Sequence, residues 1–183
     1  MKKPALVFMA MLTIAATSAC DRQAEPPRPE QTSGSEASAL DRSHKGSGMP
    51  DFVLRDQTGK ELQLASLKGK PLLINLWATW CAPCVAELPA LDRLAGERTD
   101  RLKVLTVSQD MQKLETVAPF LKARGATRLE PWLDPEGELS VQYGAQLLPT
   151  SIYYDAQGRE VWRFSGPRDW NDAETAALLD EVG

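Results

Sequence analysis

Two cysteines separated by two residues, Cys81 and Cys84, are the strongest chemical signal in the sequence. They follow an apolar run of strand length at 71–77, and a segment of helical periodicity begins at Pro83. Two sulfurs at this spacing at a helix start can form a disulfide and separate again. The N–H groups and the positive dipole end of the helix favour the thiolate of Cys81, which attacks, while Cys84 resolves the mixed disulfide. The motif predicts reversible thiol-disulfide exchange.

Two other interpretations of this cysteine pair compete with redox chemistry. A purely structural disulfide between residues three apart closes a very small loop and restrains the unfolded chain little. The pair could also be half of a zinc site. A complete site would need a second cysteine pair or histidines, and the region 49–183 has neither. We therefore predict a redox-active disulfide and no metal site.

Resolution of a mixed disulfide also needs a proton acceptor close to Cys84, buried enough for its pKa to be raised. Glu87 lies three residues after Cys84, one helical turn away, and is the predicted acid-base residue. The alternative is a solvated glutamate in the first turn, where a negative charge favours the helix dipole.

Strands and helices that could position these residues alternate along 49–183. The pattern predicts a hairpin at 51–55 and 60–64, strands at 71–77, 102–107, 130–133, 150–154 and 160–164, and helices at 83–97, 111–124, 139–143 and 171–182. Pro89 should kink the first long helix. Asn171, with Glu174 three residues later, is the expected N-cap of the last helix. This order predicts an α/β domain in which helices flank a mixed central sheet.

Composition narrows the function further. The chain has 183 residues, a net charge of -4 and three cysteines. The acidic balance and the lack of a basic patch argue against nucleic acid as a partner. Three cysteines are too few for a disulfide-built scaffold, and the odd count calls for a separate explanation of Cys20.

The first 19 residues have the outline of an export signal. Lys2 and Lys3 precede an uncharged, largely apolar run, and the segment ends in small residues. The 16 residues from position 4 to 19 are fewer than the roughly 20 that a spanning helix needs, so a permanent transmembrane anchor is disfavoured.

Cys20 is the predicted lipidation site. The stretch Ala16-Thr17-Ser18-Ala19-Cys20 resembles the lipobox of bacterial lipoproteins, although Thr17 stands where those proteins usually carry leucine. Asp21 resembles the signal that retains lipoproteins on the inner membrane. The alternative is ordinary cleavage after Ala19, which leaves a soluble periplasmic protein with a free thiol.

Residues 20–48 are predicted to form a disordered tether in front of the domain at 49–183. The segment is rich in Pro, Ser, Gly, Glu and Arg, and Leu40 is its one large aliphatic residue. Such a composition buries too little apolar surface to offset the entropy of ordering. The sole histidine, His44, falls in this tether and should be solvated, which leaves the folded domain without an imidazole.

The motifs together resemble a known family, the membrane-anchored TlpA/ResA-like branch of the thioredoxin superfamily. The likeness is carried by Trp77-Ala78-Thr79-Trp80-Cys81-Ala82-Pro83-Cys84, Glu87-Leu88-Pro89, Asp134-Pro135-Glu136-Gly137, Tyr143-Gly144 and Leu148-Pro149-Thr150. It implies a thioredoxin-like fold with an N-terminal β-hairpin and with an inserted strand and helix over 128–143.

The resemblance also implies roles for particular residues. Pro149 would be a cis-proline facing the disulfide, and the backbone of Leu148 would pair with a substrate strand. Glu87 would be the acid, because Asn75 occupies the place of the titrating aspartate of thioredoxins. From its position next to Cys81, Trp80 should belong to the apolar surface that receives substrates, whereas Trp77 should be core.

The resulting hypothesis is a monomeric thiol-disulfide oxidoreductase without a cofactor, lipid-anchored on the periplasmic side of the inner membrane. The resemblance implies a transmembrane thiol carrier as electron donor and exported disulfide-containing clients such as apocytochrome c. Two alternatives stay open, a peroxiredoxin-like thiol peroxidase and a non-catalytic lipoprotein that binds a partner. A copper chaperone similar to Sco proteins is disfavoured, because it would need CxxxC and a distant histidine.

Overall fold

The computed structural model describes residues 40–182. The predicted signal at 1–19, the predicted lipidation site Cys20 and the tether as far as residue 39 lie outside the described residues. Within 40–182, no helix combines the length and the apolar character needed to cross a membrane.

In the part of the chain that the structure describes, a single mixed sheet of eight strands forms the centre of the domain. Its strand order is β1-β8-β7-β4-β5-β6-β2-β3. The strands are β1 (Leu40–Asp41), β2 (Val53–Arg55), β3 (Glu61–Gln63), β4 (Leu72–Trp77), β5 (Lys103–Ser108), β6 (Trp132–Leu133), β7 (Thr150–Tyr154) and β8 (Glu160–Ser165).

Within residues 40–182, four α-helices connect or follow these strands, and three short 3-10 helices accompany them. The α-helices are α1 (Ala82–Glu97), α2 (Val117–Ala123), α3 (Glu138–Tyr143) and α4 (Ala173–Leu179). The 3-10 helices are Leu64–Leu67, Leu114–Thr116 and Asp180–Val182.

The central strand β4 positions the cysteine motif. All six of its residues are buried, because β5 pairs with it in parallel on one side and β7 antiparallel on the other. Leu73 and Trp77 face the part of the core that includes Cys84 of α1, and Ile74 faces the opposite part, as the two-residue period of a strand requires. The predicted buried strand is confirmed. The chain then runs from the C-terminal end of β4 to Cys81 and Cys84.

The predicted hairpin and the predicted insertion meet at the edge of the sheet that ends in β3. Strands β2 and β3 pair antiparallel as expected. β2 then joins the sheet through β6, where Arg55 is opposite Leu133. β6 and α3 are the strand and helix that the resemblance implies for 128–143.

The prediction of a tether up to residue 48 is wrong at its C-terminal end. Leu40 is opposite Phe164 on β8 and packs against the main core. Arg42 makes two hydrogen bonds to the Glu181 carboxylate, at 2.8 and 2.6 Å. A low-hydrophobicity segment is ordered here because the edge of β8 offers backbone partners, which composition does not reveal.

The same correction applies to His44. It lies in the ordered segment that follows β1, with a half-exposed side chain whose Nε2 is 4.0 Å from Oδ2 of Asp41. The expectation that the folded part contains no imidazole is therefore wrong.

Two helix boundaries also differ from the predictions. Asp172, not Asn171, is the N-cap of α4, and its carboxylate accepts a hydrogen bond from the N–H of Thr175 at 2.6 Å. The helical stretch expected at 111–124 contains α2 only over Val117–Ala123. Pro119 lies in the first turn of α2, where a missing N–H breaks no helical hydrogen bond.

Candidate active site

Cys81 and Cys84 form a disulfide at the start of α1. Their Cα atoms are 5.3 Å apart. Cys81 is the N-cap of the helix, and its sulfur accepts a hydrogen bond from the N–H of Cys84 at 3.3 Å. The first turn of α1 carries no acidic side chain. Once the disulfide is reduced, this N–H and the helix dipole favour a thiolate on Cys81.

Cys81 is the member of the pair that lines a surface cavity of about 670 Å³. Trp80, Met111 and Leu147 supply much of the apolar wall of this cavity. Trp80 is 70% exposed and Met111 78%, although large apolar side chains normally avoid water. The cavity therefore brings the sulfur that is predicted to attack next to an exposed apolar surface. Trp77, in contrast, is fully buried.

The segment before β7 also lines this cavity. The Leu148–Pro149 peptide bond is cis, as the family resemblance implies for Pro149. Leu148 lines the same cavity as Cys81. Within residues 40–182 its backbone N–H and carbonyl make no backbone hydrogen bond. These groups are free to pair with an extended segment of a client, and the substrate-binding roles of Trp80, Leu148 and Pro149 stay predictions.

Glu87 lies on the buried side of α1, one turn beyond Cys84. Only 6% of the residue is exposed, so the alternative of a solvated glutamate is wrong. Its Oε1 accepts a hydrogen bond from the backbone N–H of Arg168 at 2.5 Å. Burial raises the pKa of Glu87 to about 6, and this hydrogen bond together with the side chains of Trp170 and Asn75 limits the rise. Such a group is ionised at neutral pH and can still accept a proton.

Asn75 lies beneath α1, in the middle of β4. It is buried, and its Nδ2 donates to Oγ of Ser151 at 3.0 Å. Its side chain also lowers the pKa of Glu87, so the two residues share one environment. The neutral amide on the strand and the acid on the helix agree with the expectation that Glu87, rather than Asn75, titrates; the acid-base role of Glu87 stays a prediction.

Sequence reasoning missed an anchor of the loop in front of the cysteines. Asp110 is buried after the end of β5, and its carboxylate accepts hydrogen bonds from the N–H and Oγ1 of Thr79 at 3.0 and 2.6 Å. Oγ of Ser108 donates a third, at 2.7 Å. Thr79 stands two residues before Cys81, so Asp110 holds the strand-to-helix loop in place. The signal in the sequence was the polar run that directly follows the apolar residues of β5.

Replacing Asp110 with alanine should destabilise the domain and loosen this loop. Three donors lose their buried acceptor, and leaving buried polar groups unpaired costs about 1–3 kcal/mol each before relaxation. We expect the free energy of unfolding of the oxidised protein, measured by urea denaturation, to fall by about 2–4 kcal/mol.

Asp56 provides the matched control for that measurement. Its carboxylate also accepts hydrogen bonds from two backbone N–H groups and one hydroxyl, but at an exposed turn. Asp56→Ala should cost much less than Asp110→Ala, because water replaces the lost acceptor. Equal losses for the two variants would contradict the anchoring role of Asp110.

Comparison with known proteins agrees with this geometry. A sequence profile of Redoxin matches residues 44–179. The chain belongs to the Redoxin family. It is 30% identical over 122 residues to the thiol-disulfide oxidoreductase ResA of Bacillus thuringiensis subsp. konkukian, an alignment that covers 66% of this chain and 69% of ResA.

Solved structures resemble this Redoxin as well. The putative thiol:disulfide interchange protein DsbE of Chlorobium tepidum superposes with a TM-score of 0.67 at 26% identity, over 76% of this chain and 98% of DsbE. The exposed lipoprotein thioredoxin of Streptococcus pneumoniae gives 0.62 at 32% identity, over 72% and 99%. The predicted thioredoxin-like fold and the resemblance to ResA-like proteins are confirmed, and this Redoxin is a thiol-disulfide oxidoreductase.

Proposed function

We propose that this Redoxin reduces disulfides of exported proteins on the outer face of the inner membrane, where a lipid on Cys20 anchors it. The observation that carries the proposal is the arrangement of Cys81, at a helix start and in the wall of an apolar cavity, with Cys84 behind it. The export-type residues 1–19 support the location. So does the likeness to a pneumococcal protein described as an exposed lipoprotein.

The reaction begins with the Cys81 thiolate. Its sulfur attacks one sulfur of the client disulfide, an S–S bond forms between Cys81 and the client, and the second client sulfur leaves as a thiolate. The client segment lies in the cavity against Trp80 and pairs with the free backbone groups of Leu148. The N-terminus of the helix stabilises the Cys81 thiolate before the attack. It stabilises the same thiolate again whenever the exchange runs in reverse.

Cys84 completes the exchange. Its proton passes to the Glu87 carboxylate, and the Cys84 thiolate attacks the sulfur of Cys81. The remaining client sulfur leaves Cys81 as a thiolate, and the Cys81–Cys84 disulfide forms. The two client thiolates become thiols by taking one proton from Glu87 and one from water. Two electrons have then moved from the enzyme to the client, and a donor must return them.

A transmembrane thiol carrier supplies those electrons in this proposal, and apocytochrome c represents the class of client. A reductase needs such a supply in an oxidising compartment. The net direction follows from the reduction potential of the pair relative to its partners, since about 30 mV corresponds to about 1.4 kcal/mol for a two-electron couple.

The redox state of the pair in cells tests the proposed direction. Acid quenching followed by alkylation with a mass-shifting maleimide should find Cys81 and Cys84 mostly reduced at steady state. A pair that stays oxidised in growing cells would identify an oxidant instead, and peroxide turnover without a disulfide client would identify a peroxidase.

Mass spectrometry of the mature N-terminal peptide should find a diacylglycerol on Cys20, and Cys20→Ala should release the protein from the membrane fraction.

A further inference from the structure

Two buried polar atoms near the disulfide lack a partner. Neither Oε2 of Glu87 nor Nε1 of Trp170 makes a hydrogen bond to any residue within 40–182. One atom accepts and the other donates. The Trp170 side chain is close enough to the Glu87 carboxylate to lower its pKa. An acceptor and a donor that are both dry and adjacent are stabilised by pairing with each other.

The segment after β8 holds Trp170 in this position. The N–H of Gly166 donates to the carbonyl of Pro149 at 2.8 Å, next to the cis bond. Two residues on, the backbone N–H of Arg168 donates to Oε1 of Glu87. Residues 166–170 therefore connect the cis-proline to Glu87, and Trp170 is itself only 5% exposed.

The two charged side chains of this segment have partners other than Glu87. The Asp169 carboxylate accepts a hydrogen bond from the N–H of Asn171 at 2.9 Å. Nε of Arg168 donates to Oγ1 of Thr175 at 2.7 Å, its guanidinium lies 4.7 Å from the ring centroid of Phe164, and Nη2 is 3.4 Å from a carboxylate oxygen of Glu174. The groups that lower the pKa of Glu87 are thus neutral donors: the Arg168 N–H, the Trp170 indole and the Asn75 amide.

We propose that Trp170 is a positioning residue for thiol exchange, because its indole N–H donates to Oε2 of Glu87 whenever that carboxylate is charged. The inference rests on the proposed role of Glu87 as acceptor of the Cys84 proton. With Arg168 on Oε1 and Trp170 on Oε2, both oxygens of the buried anion have a donor, which favours the charged form. When the proton from Cys84 arrives, the neutral acid is a weaker acceptor, and the indole favours release of that proton for the next cycle.

Trp170→Phe tests this assignment, since it removes the N–H and keeps an aromatic ring. In the oxidised full-length protein, the side-chain carboxyl ¹³C resonance of Glu87 should titrate about one pH unit higher than in the wild type. The low-pH limb of the pH–rate profile should move upward by the same one pH unit. At pH 6 the exchange rate should therefore be about fivefold lower than in the wild type. Adding Glu87→Gln to Trp170→Phe should cause no loss beyond that of Glu87→Gln alone.

Trp132→Phe is the matched control. Nε1 of Trp132 also donates to a carboxylate, that of Glu130 at 3.4 Å, but outside the site. This variant should leave the titration of Glu87 unchanged. An unchanged Glu87 titration in folded Trp170→Phe would overturn the assignment, even if Glu87→Gln alters the rate.

The wild-type protein provides a test that does not depend on a variant folding. The indole ¹⁵N–H resonance of Trp170 should shift with the same midpoint as the Glu87 carboxyl between pH 4.5 and 8, and that of Trp132 should not. If the chemical shift of the Trp170 indole does not change as Glu87 ionises, the proposal is contradicted. Failure of Glu87→Gln to change the pH profile of the exchange rate would instead refute the proton-acceptor role of Glu87. The two failures are distinguishable, because the first is read from an NMR titration and the second from a rate.

Discussion

Cys84→Ser is expected to abolish turnover and to accumulate a mixed disulfide between Cys81 and the client. The serine hydroxyl cannot attack the Cys81 sulfur, so the first S–S bond forms and the second step does not follow. Loss of a reacting group of this kind lowers turnover by about a thousandfold or more. Reduction of a fluorescent disulfide peptide measures the rate, and non-reducing electrophoresis with mass spectrometry measures the adduct.

The same experiment needs two accompanying variants. Cys20→Ser in every purified protein removes the third thiol, so that each adduct can be assigned. Cys81→Ser should be equally inactive but should form no adduct, because Cys84 is 1% exposed and does not line the cavity. Adducts on Cys84 in Cys81→Ser would reverse the assigned order of the sulfurs, and full turnover by Cys84→Ser would rule out exchange through the pair.

In cells, the trapped adduct would also identify the partners of this Redoxin. Clients and the electron donor both form a transient S–S bond with Cys81 in the proposed cycle. Cys84→Ser cannot resolve the bond to a client. It also cannot break the bond that forms when Cys81 attacks the oxidised donor, which only the donor's own second thiol can then release. Mass spectrometry of the captured proteins should therefore find exported disulfide-containing proteins together with a membrane thiol carrier.

Local sequence patterns were sufficient to predict the centre of the fold. The apolar run of β4 has the length and continuity of a strand buried on both faces, and the structure has it between β5 and β7. Helix α1 begins within one residue of the predicted start. The cis form of Pro149 was predicted from family resemblance alone, since about one X-Pro bond in twenty is cis in folded proteins.

Contacts between distant segments could not be predicted in this way. Leu40 is ordered because β8 is nearby in space, although that strand begins 120 positions later in the sequence. Arg168 donates to Glu87 across 81 positions. Composition and periodicity report on neighbours along the chain, and both of these hydrogen-bonding partners are set by the tertiary fold.

Glu87→Gln should lower the rate of thiol exchange and remove its dependence on pH near 6. In the wild type the carboxylate fraction of Glu87 increases through a pKa of about 6, so a step in which it accepts a proton accelerates over that interval. Glutamine keeps the shape and the acceptor for Arg168 but cannot take the Cys84 proton. General-base assistance contributes typically about 10²–10⁴-fold, and we expect a loss near the lower end at pH 7. An unchanged pH profile would contradict the role.

The same substitution should stabilise the oxidised protein at neutral pH, a result opposite in sign to its effect on rate. Because the folded-state pKa of Glu87 is raised from 4.5 to about 6, the native state binds this proton more tightly than the unfolded chain does. The resulting stability is complete below about pH 4.5 and is lost as the pH rises through about 6, a change of about 2 kcal/mol.

Urea denaturation between pH 4 and 8 separates this effect from a general change in stability. Glutamine does not titrate, so the free energy of unfolding of Glu87→Gln relative to the wild type should increase by about 2 kcal/mol from pH 4 to pH 8. Glu97→Gln, at the exposed end of the same helix, should show no such trend. A variant that is slower and yet more stable above pH 6 identifies a buried charge that is maintained for its chemistry, whereas a constant difference across the pH range would show that the burial of Glu87 serves packing alone.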